Sequence, residues 1–164
     1  MKSKTTRKLA MAGVFTALAV VGSMLSVPIA SSKCAPVQHM INILSAVLLG
    51  PGYSVAFVAS LLRNILGLGS FLAFPGSMVG ALCCGLVYKY TKKVFPTCFA
   101  EAFGTGILGG IAAYPVAKYA MGVPDIGVFV YVLPFLISTV AGSVLAFILV
   151  AALKKSGVTE FFEN

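Results

Sequence analysis

The segment from Lys33 to Asn42 gathers polar side chains at the edge of a hydrophobic run. It contains a cation, the only histidine, His39, and two amides, Gln38 and Asn42. If the run that follows is a helix, residues 38 and 42 lie four apart on one face, with residue 39 beside them. Imidazole and amide groups form hydrogen bonds, and burying them without partners is costly. We therefore predict that this segment contacts a small, partly polar molecule.

The elements that position this segment are hydrophobic helices. The chain is 59% hydrophobic and only 10% charged, whereas soluble domains carry about 25% charged residues, so the expected solvent is the lipid bilayer. The apolar runs are 8–30, 36–50, 53–69, 71–90, 97–120 and 128–153. They predict an all-α integral membrane protein, with residues 1–164 forming a single six-transmembrane-helix bundle. The second and third runs are short enough to form a re-entrant hairpin instead.

The placement of the cations predicts the orientation of this bundle. Nine lie at the end that holds the N-terminus: Lys2, Lys4, Arg7, Lys8, Lys89, Lys92, Lys93, Lys154 and Lys155. Only Lys33 and Lys118 are expected on the opposite side, so the positive-inside rule puts both termini in the cytoplasm. Because these cations are dispersed over several segments, nucleic-acid binding is not expected. A cleaved signal peptide ending near Ser32 is the alternative for the first run.

Arg63 is the most costly polar residue within a run. Counting from Tyr53 at about 1.5 Å per residue puts it roughly 15 Å from the inner boundary. A guanidinium near the bilayer centre costs at least about 2.5 kcal/mol, so Arg63 should face a partner or a wet cavity. The structural alternative is an ion pair with Glu101. Glu101 is itself predicted near the inner end of its helix, as an interfacial anchor, as that counter-ion or as a group that touches a ligand.

Other polar and aromatic residues are predicted to converge with Arg63 in the outer half of the bundle. They are Asn64, Ser77, Tyr114 and Tyr131. Together with the first segment they predict a pocket that is open to the exterior or covered by a loop, with aromatic rings for the flat faces of a ligand. A proton relay through His39 is the less favoured use, since the chain offers it few partners.

Small residues at helical spacing predict close helix contacts. In the first run they form two pairs, Gly13 with Ala17 and Ala12 with Thr16. Such stripes allow helices to approach closely in lipid, either within the chain or against a separate membrane subunit. In the fourth run the pair Gly76-x-x-x-Gly80 predicts packing within the chain.

Several catalytic and metal-binding patterns are absent from the sequence. It has no Gly-x-x-x-x-Gly-Lys-Ser/Thr loop, no His-Glu-x-x-His and no Gly-x-Ser-x-Gly. The four cysteines have neither metal-binding spacing nor depths that would form a disulfide framework. We expect a protein that is not an enzyme, without cofactor or metal, which binds a ligand and relies on partners for energy. A solitary facilitator or proton-coupled carrier is the alternative. An enzyme acting on lipids is disfavoured, because carboxylates do not cluster at the inner surface.

Four segments resemble those of ThiW proteins: Lys33–Asn42, Leu62–Gly67, Ala73–Ala81 and Gly104–Ile107. The resemblance covers nearly the whole chain. It implies a substrate-capture (S) component of an energy-coupling-factor (ECF) transporter, multi-pass in a prokaryotic plasma membrane. It also implies uptake of hydroxyethylthiazole, the thiazole precursor of thiamine, and partnership with one transmembrane coupling protein and two ATPases.

For such a substrate we predict roles for individual residues. The thiazole ring would stack on Tyr114 or Tyr131, and His39, Asn42 and Asn64 would hydrogen-bond its ring nitrogen and hydroxyl while Arg63 holds them in place. S components dock through an Ala-x-x-x-Ala motif on the first helix. This chain departs from that motif, because its nearest equivalents are the two pairs of small residues in the first run.

Overall fold

A computed structural model describes residues 2–29, 32–50 and 53–156, which are mostly helical. The helices are α1 (Lys2–Gly22), α2 (Pro36–Leu48), α3 (Tyr53–Ile65), α4 (Ala73–Thr91), α5 (Val94–Ala120) and α6 (Val132–Lys155). Two stretches of α5, Gly104–Gly109 and Val116–Ala120, have π-helical hydrogen bonding. Each predicted apolar run overlaps one of these helices. The predicted break at Pro51-Gly52 and the last residue of the first run lie outside the described residues.

Three helical segments are long and apolar enough to cross a membrane by length and composition: Thr5–Leu25, Val94–Ala120 and Val132–Lys155. Helices α2 and α3 are apolar but have only 13 residues each. At about 1.5 Å per residue they reach roughly 20 Å, less than the ~30 Å of a hydrocarbon core. The prediction of a helical membrane protein is therefore supported, while the number of spans stays a prediction.

The first predicted run ends earlier than expected, and a short β-hairpin follows it. Helix α1 stops at Gly22, and strand β1 (Val27–Ile29) pairs antiparallel with β2 (Ser32–Cys34). Pro28 has no N–H to donate to a helix, and the flanking β-branched residues favour extended backbone. The all-α prediction did not include this hairpin, which carries Lys33 and leads directly into α2.

The C-terminal cap of α3 changes the predicted position of Arg63. Gly67 has φ +70°, a conformation that is easily reached only without a side chain. The N–H groups of Leu68 and Gly69 donate to the carbonyl oxygen of Arg63 at 2.8 and 3.0 Å, which closes the helix in a Schellman-type cap. Arg63 therefore lies in the last turn of α3 and not in the middle of a helix that runs to residue 69.

Helix α2 is the central element, in contact with each of the other five helices. Its apolar face, with Ile41, Leu44 and Leu48, packs against residues of α1, α3 and α6 such as Phe15 and Val150. Its polar face carries the residues that the sequence singled out. Because both faces of α2 are covered by protein, its polar side chains must find partners inside the bundle.

Glycines bring the helices around this polar face close together. A Cβ atom on Gly109 of α5 would lie 2.7 Å from the Cα of Gly76 on α4, which confirms that the Gly76-x-x-x-Gly80 pair is a packing feature. On α6, a Cβ atom on Gly142 would lie 2.7 Å from the Cβ of His39. All four cysteines are free.

Candidate ligand-binding site

A small cavity lies between the hairpin, the start of α2 and the ends of α3 and α4. Its volume is about 40 Å³, and since a water molecule needs at least about 10–15 Å³, it has room for only a few waters. The polar side chains that line it and are buried among the apolar helices are Gln38, His39, Arg63, Ser77, Thr105 and Ser138. A ligand with a ring can enter only if one wall moves.

The start of α2 is held in place by α6 and α3. Pro36 occupies the first turn, where the absence of its N–H costs nothing. The backbone N–H of Ala35 donates to Ser138 Oγ at 2.9 Å, and Gln38 Nε2 donates to Ser60 Oγ at 3.3 Å. Helices α6 and α3 thus position the polar turn of α2 at the cavity wall.

Behind this turn, a fully buried carboxylate organises the polar face of α2. Glu101 of α5 has an exposed fraction of 0%. Its Oε1 accepts hydrogen bonds from Asn42 Nδ2 and Thr105 Oγ1, both at 3.0 Å. The same oxygen lies 3.0 Å from His39 Nδ1. This contact occupies Nδ1, so Nε2 is the ring nitrogen left for a ligand.

The prediction that Glu101 is an interfacial anchor or the counter-ion of Arg63 is wrong. In the part of the chain that the structure describes, Glu101 pairs with His39 and not with Arg63. The Glu101 side chain is buried between α2 and α4. A Cβ atom on Gly80 would lie 2.7 Å from Glu101 Oε2, so the glycine makes room for the carboxylate. Helix α5 also starts earlier than predicted, at Val94, which places Glu101 two turns inside it.

Arg63 reaches the cavity from the end of α3. It is 3% exposed, and its Nε has no hydrogen-bond partner in the described part of the chain. Within those same residues its side chain pairs with no carboxylate. The cavity lining contains a second cation, Lys33 of β2, and no acidic residue. The polar cavity is therefore positively charged on the side formed by α3 and the hairpin.

The structure brings four of the predicted ligand residues to this cavity: Gln38, His39, Arg63 and Ser77. Asn42 lies behind it and donates to Ser77 Oγ at 3.2 Å as well as to Glu101. Asn64 is held elsewhere, because its Nδ2 donates to the carbonyl oxygens of Ser60 and Ser70 at 2.8 and 3.1 Å. Asn42 and Asn64 therefore support the walls and do not line the cavity.

The two predicted stacking tyrosines are not at this cavity either. Tyr114 accepts a hydrogen bond from Lys118 Nζ at 3.1 Å. Tyr131 lines a second, larger cavity of about 600 Å³ formed with residues 121–130. The two cavities share Ser32, Lys33, Ser70 and Leu72. Tyr131 thus belongs to a vestibule beside the small cavity, and the predicted ring contacts of both tyrosines have no counterpart in the inner site.

The aromatic ring that does line the inner cavity is Phe135, which the sequence reading missed. Its centroid lies 6.1 Å from that of Tyr131, one helical turn away. Ser138 was also not chosen as a site residue, although Tyr131, Phe135 and Ser138 share the i, i+4, i+7 spacing of one helix face. This spacing could have indicated Phe135 and Ser138 as site residues. It is not specific, because many phenylalanines in an apolar chain have the same surroundings. Thr105 gave no signal of its own.

The structure separates the two pairs of small residues in α1. Thr16 is buried, and its Oγ1 donates to the carbonyl oxygen of Ala12 at 2.8 Å. Gly13 and Ala17 are exposed, and a Cβ atom on Gly13 would meet nothing within 4 Å. One pair therefore packs inside the bundle, and the other faces outward.

Comparison with known proteins gives one family. A family model described as "Thiamine-precursor transporter protein (ThiW)" matches residues 9–156. Searches of curated proteins and of solved structures gave no match.

Proposed function

The chain belongs to the ThiW family of thiamine-precursor transporters, and from that premise we propose that it is the substrate-binding subunit of an ECF-type uptake transporter. It captures hydroxyethylthiazole from outside the cell and delivers it inward when docked on an ATP-driven module. The bundle spans the plasma membrane of a prokaryote six times, with both termini inside. A transporter family agrees with the expectation that the chain is not an enzyme.

The observation that carries this proposal is the polar cavity in an apolar bundle. Gln38, His39 and Arg63 are each less than one-tenth exposed, yet they line a common space. Polar groups in such surroundings are costly unless they are bonded. A ligand with a ring nitrogen and a hydroxyl would supply partners for Arg63 Nε and His39 Nε2.

The geometry suggests roles for four of the lining residues and for Asn42 behind them. His39 Nε2 bonds the polar atoms of the ligand, because Glu101 already holds Nδ1. Gln38 and Ser77 supply further donors and acceptors at the same wall. The ring of Phe135 packs against the thiazole, and Asn42 positions Ser77 and Glu101.

Energy for inward release comes from separate subunits in this proposal. The sequence has no phosphate-binding loop, so a transmembrane coupling protein and two ATPases would supply it. The exposed pair Gly13 and Ala17 offers a small, smooth surface on α1 for a helix of the coupling protein. The packed pair, Ala12 and Thr16, would support that surface from within.

Calorimetric titration of the purified chain with hydroxyethylthiazole tests the proposal. One ligand should bind per chain, and Arg63→Ala or Asn42→Ala should weaken binding at least about tenfold, or ~1.4 kcal/mol. Lys89→Gln, a change at the far end of α4, serves as the control and should bind like the wild type. Absence of binding by the folded wild-type chain would contradict the proposal.

Uptake by liposomes separates a capture subunit from a solitary carrier. The buried pair of His39 and Glu101 is the feature that a proton-coupled carrier would use. The chain alone should not accumulate labelled ligand, with or without a proton gradient, whereas the chain with the coupling protein, the ATPases and ATP should. Uptake by the chain alone would favour the solitary carrier.

A further inference from the structure

Arg63 is the buried cation of the cavity, and it pairs with no carboxylate of the described residues. Its exposed fraction is 3%, its Nε is unpaired in the described residues, and its side chain lines the cavity. A guanidinium carries five N–H donors in a fixed fork and stays protonated in proteins. Some group must therefore accept hydrogen bonds from this guanidinium when the site is occupied.

The carboxylates of the described chain do not provide that group. Glu101 accepts three polar contacts on Oε1, from His39, Asn42 and Thr105, and it does not line the cavity. Asp125 is exposed and lies at the vestibule. A buried cation without an anion is unfavourable, so the anion is expected to arrive with the ligand.

The wall around Arg63 adds positive charge and no negative charge. Lys33 of β2 lines both the cavity and the vestibule, so it can contact a ligand that passes between the two spaces. Both cations favour a negative group. A neutral alcohol would satisfy some donors of Arg63 but would leave its charge uncompensated.

We propose that this site prefers a thiazole whose side chain is an anion, either a carboxylate or a phosphate monoester, paired with the guanidinium of Arg63. Carboxylate and phosphate oxygens match the fork of arginine in a bidentate arrangement. His39 and Phe135 would then contact the ring, and Lys33 would assist entry. This inference rests on the proposed uptake of thiazole precursors, and it specifies the charge of the compound taken.

Titration calorimetry with three ligands tests the preference. They are hydroxyethylthiazole, its phosphate monoester, and the thiazole with a carboxymethyl group in place of the hydroxyethyl group. At least one anion should bind at least about tenfold more tightly than the alcohol, since bonds to ionised partners are about twice as strong as neutral ones. The two anionic arms distinguish a phosphate site from a carboxylate site. Alcohol binding equal to or tighter than that of both anions overturns the inference.

Substitution of Arg63 tests whether its guanidinium causes the preference for an anionic ligand. Arg63→Gln should weaken binding of the anion at least about tenfold more than binding of the alcohol, and Arg63→Lys should keep part of the preference because it keeps the charge. Lys89→Gln removes one cation far from the cavity and should preserve the preference. Equal losses for all three ligands in folded Arg63→Gln would mean that Arg63 only supports the structure, and would also overturn the inference.

The outcomes separate this inference from the proposed function. If the wild-type chain binds the alcohol and neither anion, the charge preference is wrong and thiazole capture stands. If no thiazole of any charge binds to the folded chain, the proposed function fails. Circular dichroism establishes folding for each variant, and the comparison among wild-type ligands does not depend on any variant.

Discussion

At the scale of single residues, one buried carboxylate connects several polar groups that lie far apart in the sequence. Glu101 contacts His39 and Asn42, 62 and 59 positions away. Its other oxygen, Oε2, has no hydrogen-bond partner in the described part of the chain. The carboxylate thus orients the imidazole at the cavity without itself touching the space where a ligand would lie.

Replacing Glu101 by Gln should weaken this arrangement with little change in shape. An amide in place of the carboxylate removes the negative charge beside His39. Loss of a charged hydrogen-bond partner in a buried site lowers the free energy of unfolding by about 1–3 kcal/mol. We expect a lower thermal unfolding midpoint in detergent and weaker ligand binding. The variant Lys155→Gln, an exposed charge change at the end of α6, is the control. Unchanged stability and affinity would show that the pair of His39 and Glu101 has no part in the site.

Phe135 is expected to contribute to binding through contact with the ligand ring. Phe135→Ala removes that contact and should weaken binding about tenfold or more, because burying a large aromatic side chain contributes ~1.5–3 kcal/mol. Phe99→Ala is the control, because it makes the same substitution at a side chain that is 69% exposed. This variant should bind the ligand normally. Titration calorimetry measures both. Equal affinities of the two variants would exclude Phe135 as a ligand contact.

At the scale of helices, close approach of α2 and α6 positions the polar turn. Gly142 lies against the carbonyl oxygen of Pro36 and the Cβ of His39. Backbone atoms cannot move aside as a flexible side chain can, so an added methyl group must push the two helices apart. The location of His39 at the cavity wall therefore depends on the absence of a side chain on a different helix.

Gly142→Ala should displace the start of α2 from α6. We expect destabilisation of about 1–3 kcal/mol from overpacking, together with weaker binding because His39 and Gln38 move with the helix. Thermal unfolding and titration measure the two effects. Val144→Ala, at an exposed position of α6, is the control and should change neither. Normal stability of Gly142→Ala would show that the helices can separate at little cost.

At the scale of the whole molecule, the bundle combines a buried polar site with an outward surface on α1. Gly13 and Ala17 are exposed on that helix, whereas Thr16 and Ala19 are buried inside. The ligand site and the candidate docking surface are therefore on different parts of the molecule. Binding of the ligand and assembly with partners should be separable by mutation.

Ala17→Leu should block assembly and spare ligand binding. A large side chain on the small-residue face prevents close approach of a partner helix, while the cavity is built from other elements. Copurification with the coupling protein measures assembly, and titration measures binding. Leu18→Ala, at another exposed position of α1, should assemble normally. Normal assembly of Ala17→Leu would place the docking surface elsewhere.

The sequence by itself determined the membrane class, the approximate helices and part of the cavity wall. Apolar composition and run length are local properties, and a polar residue within an apolar run stands out, which is why Gln38, His39, Arg63 and Ser77 were found. The family resemblance came from the same local segments.

Only the tertiary structure decided the burial of Glu101, the cavity position of Phe135 and the outward face of α1. Each depends on which helices become neighbours, and residues such as His39 and Glu101 meet across 62 positions of chain. Helical periodicity shows which residues share a face, but it does not show what that face meets. The packing at glycines supplies that information, because it sets how closely the helices approach.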